Sequence, residues 1–324
     1  MIINSRFKRI LVIAVWFGEV PESFNLWLQS CVNNQTIDWL LITDIQFGNR
    51  VFEKNIHIRN MTMQEFQKRI SDFSNLEIKF EKPYKACDYR PLYSCFIDLV
   101  EGCWDYWGHC DIDMVFGDVR KYLTDKVLEN NKIFGVGHFS LYKNIPEINL
   151  FFKKNNPYFD YKEILENIDN KGFDEHLGIN KIFNFYKESF YENEDIIIDV
   201  DPYIRNISRM STNKIVKNYK YQIFIYNNGV VGRYYVEKNC LVFEEFMYMH
   251  FQKRKKIINS SLYNFKSFCL TPEGFKPFDP NFVDKDLIAT FNPYYYWGGF
   301  KEELYRLKRV FRIFRRNLKG SYYE

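Results

Sequence analysis

GHCDIDMVFGD, residues 108–118, carries the chain's fold in miniature: the end of a strand, two carboxylates, an apolar triplet and a helix cap. The strand-like segment Tyr106–Cys110 runs into Asp111 and Asp113, then into Met114-Val115-Phe116, Gly117 and Asp118. Carboxylates flanking one residue at a strand end can face the same side, and their hard oxygens suit Mn2+ or Mg2+. The spacing alone says little, because three such triplets occur: Asp111/Asp113, Asp199/Asp201 and Asp284/Asp286. With 19 aspartates in 324 residues, about one is expected by chance. Context selects among them. Asp284/Asp286 lies in a polar segment after Pro280 with no strand before it. Asp199/Asp201 follows a good strand but leads into Pro202, with no phosphate-binding environment apparent, so substitution of Asp199 is expected to leave a metal site largely intact. Asp111/Asp113 closes a strand after several strand–helix units, where a nucleotide-binding half presents its ligands.

Those units are read from hydrophobic period. Strands are expected at Ile10–Trp16, Trp39–Thr43 and Asn55–Arg59, with helices over Glu22–Asn33, Thr62–Phe73 and Asp88–Glu101. Thr62 and Glu65 form a capping-box pair. Beyond the carboxylates, Asp118 is expected to cap a helix over Val119–Asn130, before a strand at Ile133–Val136 and a polar, helical stretch over residues 145–190. Strands follow at Asp195–Val200, Gln222–Tyr226 and Val230–Val236, the last two joined by Asn227-Asn228-Gly229, a strong hairpin signal. Strands alternating with helices predict an α/β fold, Rossmann-like, with a mixed, mainly parallel sheet flanked by helices and ligands at its carboxyl edge.

Composition sets the class. The chain is 46% hydrophobic and 19% aromatic, with 32 Phe, 24 Tyr and 6 Trp, which excludes disorder. Aromatic excess suits carbohydrate-handling clefts, where sugar C–H faces stack on rings; an A/T-rich genome produces the same excess. Seven cysteines without a CxxC pair suggest neither a disulfide framework nor a zinc site, and point to a reducing, cytoplasmic compartment. Arg6, Lys8 and Arg9 before Ile10–Phe17 mimic a signal peptide, but the run is β-branched and lacks a small-residue cleavage site. No apolar stretch approaches the roughly 20 residues of a membrane span. Residues 301–319 hold eight basic and two acidic side chains, leaving the rest with 37 basic against 39 acidic. A near-neutral body with a basic tail argues against nucleic acid as a partner. In that tail Phe300, Leu304, Leu307, Phe311, Phe314 and Leu318 form an amphipathic helical stripe, docked on the domain or lying on an anionic membrane surface.

With KPYKACDYRP (82–91) before it, GHCDIDMVFGD resembles the core of a bacterial group of GT-A-type glycosyltransferases associated with surface polysaccharide synthesis. It is more distantly similar to the retaining family 8 and family 32 glycosyltransferases, in which an Asp and an Arg on one helix precede a strand ending in DxD. The similarity runs over residues 8–255. It implies a GT-A fold, a UDP-sugar donor, a glycan or lipid-linked acceptor and a Mn2+ or Mg2+ cofactor. Asp113 would chelate the ion, Asp111 would contact metal and ribose, and Lys85, Asp88 and Arg90 would hold the nucleotide and order the site. Read by itself, Asp88 is equally a helix N-cap.

The loop after the first strand, from Phe17 to Ser23, would lie beside the base, with Asp44 near the uracil or ribose. FMYMHFQKRKK (246–256) would supply His250 as a third metal ligand and Lys253 as a grip on the diphosphate. In Gly172–Gly178, Asp174 would bind donor hydroxyls. Glu175 would be the base of an inverting reaction or a charge stabiliser of a retaining one. Family 8 commonly has Gln at that second position. The competing account of the pair is a cap on a helix over Glu175–Phe185. Gly135-Val136-Gly137-His138-Phe139 is either a backbone approach to a sugar or a plain strand turn.

The expected organisation is a catalytic domain over residues 1–258 and a C-terminal extension over 259–324. A retaining hexosyl transfer is favoured by the His250 segment. A nucleotidyltransferase would want a Gly-rich N-terminal loop with a basic residue, whereas Phe17–Ser23 has one Gly and neither Lys nor Arg. A silent glycan-binding or membrane-adaptor protein would keep the aromatics and the tail without binding metal.

Overall fold

Ile10–Trp16 is an apolar run with no charged side chain and is buried along its first five residues, as a strand covered on both faces must be. The structure, a computed structural model, describes residues 7–211, 213–252 and 266–293, with 304, 305, 307, 308, 310 and 311. Lys253 and, in the tail stripe, Phe300, Phe314 and Leu318 lie outside the described residues. In chain order the strands are β1 (Ile10–Trp16), β2 (Asp38–Thr43), β3 (Ile56–Asn60), β4 (Tyr106–Cys110) and β5 (Met114–Phe116). Next come β6 (Lys132–Val136), β7 (Phe139–Lys143), β8 (Phe190–Tyr191), β9 (Ile197–Asp199) and β10 (Gln222–Asn227). The last are β11 (Val230–Glu237), β12 (Cys240–Phe246), β13 (Tyr248–His250), β14 (Ser267–Thr271) and β15 (Gly274–Pro277). Two longer helices are α1 (Phe24–Asn33) and α2 (Met63–Ser74). Thr62 and Glu65 make the reciprocal capping box in front of α2.

The described residues form two compact units. The first takes in the chain up to Val20, Cys31–Ile112 and Arg120–Asn193. Its sheet has the order β3-β2-β1-β4-β7-β6-β8. β3, β2, β1 and β4 are mutually parallel, β7 is antiparallel to both neighbours, and β8 is parallel to β6. This is the mixed, mainly parallel α/β sheet that the alternation of elements predicts. From β1 the chain moves outward to β2 and β3, then returns to place β4 on β1's other side. The strand order therefore reverses between β1 and β4, and the ends of β1 and β4 flank the crevice where such sheets bind ligands. Phe66 anchors the core beneath, stacked on Phe96 at 5.1 Å and edge-on to Phe17 and Tyr93.

The second unit takes in Pro21–Ser30, Asp113–Val119 and the described residues from Glu194 onward. It holds an antiparallel sheet of order β12-β11-β10-β14-β15 and a small sheet of order β5-β13-β9. The β10–β11 turn has Asn228 and Gly229 at φ 48° and 88°, the left-handed pair that a two-residue hairpin demands. β14 and β15 follow residue 258 yet complete the sheet begun by β10, so a boundary at 258 would cut that sheet.

Two expected helices take other forms. Residues 88–101 were expected to be α-helical; instead Pro83–Leu99 is a tight 3-10 stretch, because Pro91 lacks an N–H and its ring disturbs the preceding turn. The expected helix over Val119–Asn130 is one α-turn at Val119–Tyr122 and a 3-10 turn at Val127–Glu129. There the Thr124 hydroxyl accepts from Val127 N–H and competes with the helical ladder.

Candidate functional site

In the second unit three strand ends meet. Asp113 precedes β5, His250 ends β13 and Asp199 ends β9; the register opposes His250 to Met114 on one side and Asp199 on the other. Phe251 N–H donates to Asp113 O at 3.1 Å, and Val200 N–H to His250 O at 2.9 Å. These backbone bonds bring the side chains together: His250 Nε2 lies 3.4 Å from Asp113 Oδ1, and Nδ1 lies 2.8 Å from Asp199 Oδ1. Asp199 Oδ1 also accepts from Gln252 Nε2 at 2.8 Å. Burial disfavours charge on His250, but Asp113 and Asp199 together outweigh it and raise the imidazole to about 10.

The residues fit a divalent ion. Two ligand atoms, each about 2.1 Å from one cation at a right angle, stand about 3 Å apart, and Asp113 Oδ1 and His250 Nε2 are at nearly that spacing. With an ion bound, Asp199 would complete a carboxylate–histidine–metal relay, accepting from Nδ1–H while Nε2, its proton displaced, would face the ion. The sequence reading had set Asp199 aside. The pairing of β9 with β13 brings it to a histidine 51 positions away. The available signal was that β9 is an apolar strand ending in Asp, much as β4 runs directly into Asp111.

In the first unit Arg90 is the hub. Its Nη1 donates to Gly137 O and to Asp174 Oδ2, each at 2.6 Å, and its Nη2 donates to Asp111 Oδ1. Burial opposes its charge, yet Asp111, Cys87 and Asp174 hold the guanidinium well above its ordinary value. Burial pushes Asp174 up to about 7, and Arg90 restrains the rise. A carboxyl so poised can hold or release a proton near neutrality. Helix Ile179–Phe185 starts four residues beyond Glu175, so Asp174 and Glu175 do not cap it. Glu175 is exposed beside Asp174. A Cβ on Gly137 would meet Glu175 Cγ at 2.8 Å and Asp174 Oδ2 at 3.0 Å, so glycine lets this turn close on the acidic pair.

Three expected contacts are corrected. Lys85 does not present its ammonium to a phosphate: it is 1% exposed, and Nζ donates to Asp88 Oδ2, Ile164 O and Asp169 O at 2.7–3.0 Å. Asp88 does not reach a nucleotide; it accepts from Lys171 N–H and Phe173 N–H, both at 2.8 Å, and so fastens the loop leading to Asp174. Phe17 does not flank a base; it is buried edge-on against Phe66 and Phe80, because its ring fills the core beneath β1. Asp44 is exposed and accepts from Gly18 N–H at 2.9 Å, steadying the turn after β1. Lys85→Met leaves Asp88 buried without its cation. Urea denaturation should register a loss of about 3–5 kcal/mol; a midpoint within error of wild type would refute the role.

A model described as a family of unknown function (DUF6625) matches residues 12–279. No curated protein matches the sequence. Among solved structures, the galactosyltransferase LgtC, in complex with donor and acceptor sugar analogs, has a TM-score of 0.33 at 9% identity, covering 58% of this chain and 75% of that one. Mouse xyloside xylosyltransferase 1 has a TM-score of 0.35 at 9% identity, covering 60% and 88%. The glycosyltransferase GlyE of Streptococcus pneumoniae TIGR4 has 0.27 at 12% identity, covering 59% and 46%. All three scores lie below 0.5, and the geometry above stands independently of them.

Proposed function

We propose that this chain, which belongs to the DUF6625 family, is a metal-dependent glycosyltransferase of GT-A type that moves a hexosyl group from a UDP-sugar to a glycan or glycolipid hydroxyl. One observation carries the reading: Asp113, which with Asp111 follows the strand at the sheet's reversal point, stands 3.4 Å from an imidazole oriented by a second carboxylate. Neither a plain strand turn nor a helix cap needs that arrangement.

In this reading Asp113 and His250 hold Mn2+ or Mg2+, with Asp111, two positions before Asp113 in the chain, as a further ligand and ribose contact. The ion supplies charge neutralisation to the departing diphosphate. Asp199 orients the imidazole. Arg90 keeps Asp111 and Asp174 apart in charge and fixed in place, Asp174 binds donor hydroxyls, and Glu175 is the acceptor's base or the stabiliser of an oxocarbenium-like sugar. Lys253 grips the diphosphate, and retention is favoured by the His250 segment. The site of action is the cytoplasmic face of a membrane, in surface polysaccharide synthesis. Leu304, Leu307 and Phe311 are 40%, 64% and 61% exposed, which supports a peripheral contact of the tail with anionic lipid. Among the described residues no helix is long and apolar enough to cross a membrane.

The test is a panel of sugar nucleotides with and without Mn2+, scored for nucleoside diphosphate release. Release of sugar 1-phosphate instead, with the nucleoside monophosphate transferred, would indicate nucleotidyl transfer, and no product with any donor would favour a silent binding protein. A pH series adds an independent check. Without metal, the folded chain keeps a proton on His250 up to about pH 10, whereas the unfolded chain releases it near 6.5. That stabilisation is complete below pH 6.5 and fades as pH rises towards 10. Mn2+ must expel this proton, so its affinity should rise about tenfold per pH unit below the imidazole's value. Titrations at three pH values giving one affinity would remove His250 from the ligand set.

A further inference from the structure

β6 carries one residue more than the strand it faces: Ile133 opposes Leu141 and pairing resumes at Val136 opposite Phe139, three steps along β6 against two along β7. The extra residue makes a β-bulge. Within it Phe134 adopts φ 64°, in the left-handed region that a bulky side chain avoids. Its ring is nevertheless buried, 5.8 Å from Phe139 and 6.0 Å from Tyr191. Such a conformation persists only when its surroundings over-determine it, and it collects beside functional sites.

Here every carbonyl from residue 134 to 138 is held, and all the groups involved belong to the first unit. Phe134 O accepts from Lys132 Nζ and stands 2.8 Å from Ser140 Oγ, whose hydroxyl is shared with Val136 O at 3.1 Å. Gly135 O accepts from Asn180 Nδ2 at 2.8 Å, Gly137 O from Arg90 Nη1 at 2.6 Å, and His138 O from Asp111 N–H at 3.0 Å. The bulge thus leads straight into the turn that meets Arg90 and Asp111. Lys132 is the costly member of this set. It is fully buried, and among the described residues its Nζ bonds to no carboxylate. Besides Phe134 O it reaches only Ser140 Oγ, at 3.4 Å, with the Tyr142 and Phe190 rings 5.1 and 4.6 Å away. Burial lowers the amine to about 7, while Glu192 and Asp174 resist the fall. A methionine would fill the same space without burying a polar head.

We infer that Lys132 is a positioning residue: its amine pins the strained bulge so that Gly137 O and His138 O are delivered to Arg90 and to Asp111 N–H. The amine serves the segment it holds rather than the stability of the fold. Without the pin, Phe134 relaxes to negative φ, the extra residue shifts along β6, and both carbonyls leave their donors. On the glycosyl-transfer reading this fixes Asp111 and Asp174 for the donor. The pin itself does not depend on that reading.

Lys132→Met in the full chain tests it. The urea midpoint should stay at or above that of wild type, because the buried amine is gone. Site-resolved hydrogen exchange at Asp111 N–H, held by His138 O, should quicken by at least about tenfold. Exchange at Trp39 N–H, held by Asn55 O at 2.8 Å on β2 of the same sheet, should not change. Phe134→Gly supplies a residue that takes positive φ freely. Added to Lys132→Met, it should return Asp111 exchange to within about threefold of wild type, although the packing of the Phe134 ring is lost. A role in packing alone predicts the opposite, a further loss. Turnover of a UDP-sugar should fall by about tenfold or more in Lys132→Met and recover in the double variant. A lowered midpoint with Asp111 and Trp39 quickening together, unchanged Asp111 exchange, no recovery in the double variant, or full turnover in Lys132→Met would each overturn the inference. A wild type that turns over no donor would remove the transferase reading, and Asp111 exchange would then decide the pin by itself.

Discussion

Asp113→Ala should abolish metal-dependent turnover, a fall of about a thousandfold. The carboxylate is one of two groups whose atoms stand at the separation one divalent ion requires, the other being His250 Nε2 at 3.4 Å. Removing it takes away both a ligand and the charge that balances the cation. The fold should survive, because the backbone bond from Phe251 N–H to Asp113 O does not involve the side chain. Asp199→Asn is the informative companion. An amide at that position holds the imidazole less firmly in one tautomer, and Mn2+ affinity should fall by about ten- to a hundredfold while the folded state persists. Manganese EPR on the free protein reads that affinity without reference to turnover. If Asp113→Ala retained turnover and Asp199→Asn lost it, the ion would belong to the other triplet.

The second large effect is at Arg90. Arg90→Leu leaves Asp174, 1% exposed, without the donor 2.6 Å from its carboxylate, and frees Asp111 and Gly137 O as well. Breaking a buried pair by deleting one partner costs about 3–5 kcal/mol, far more than the pair's net contribution. The loss should depend on pH in a definite direction. Burial already lifts Asp174 to about 7 with Arg90 in place. A carboxyl whose folded value is raised favours the folded state below its unfolded value and penalises it as pH rises through the folded value. Arg90→Leu should therefore be least destabilised in mild acid and increasingly so above neutrality. Arg90→Leu/Asp174→Leu, which removes the stranded charge, should flatten that dependence. Urea midpoints across a pH series check both. A uniform loss at every pH would mean that Arg90 acts through packing alone.

Local rules carried much of the fold. The continuous apolar run of β1, the Thr62–Glu65 box of α2 and the Asn228-Gly229 turn are each specified by residues within a few positions, and each forms where expected. The errors occurred where a local preference met a competitor. Pro91 tightened an expected α-helix, and Thr124 divided another. Lys85 and Asp88 look like ligand-binding residues in sequence because burial is invisible there. A charged pair with both partners inside the protein reads the same as one facing solvent until the loop at 164–173 is laid over it.

Asp111 and Asp113 were legible because a strand, two carboxylates and a cap are contiguous in the chain. So was His250, an imidazole ending an apolar strand. Asp199 was not. Its importance comes from parallel pairing of β9 with β13, whose other edge pairs with β5, a register set by burial of Ile198, Met249 and Val115 in one core. Hydrophobic pattern tells which residues are buried but not which distant strand they are buried against. The sequence therefore offered Asp111, Asp113 and His250 as candidates, while the orientation of the imidazole by Asp199 and the hub at Arg90 were decided only by the tertiary structure. Both depend on side chains that burial brings within hydrogen-bond reach across 21 to 84 positions of chain.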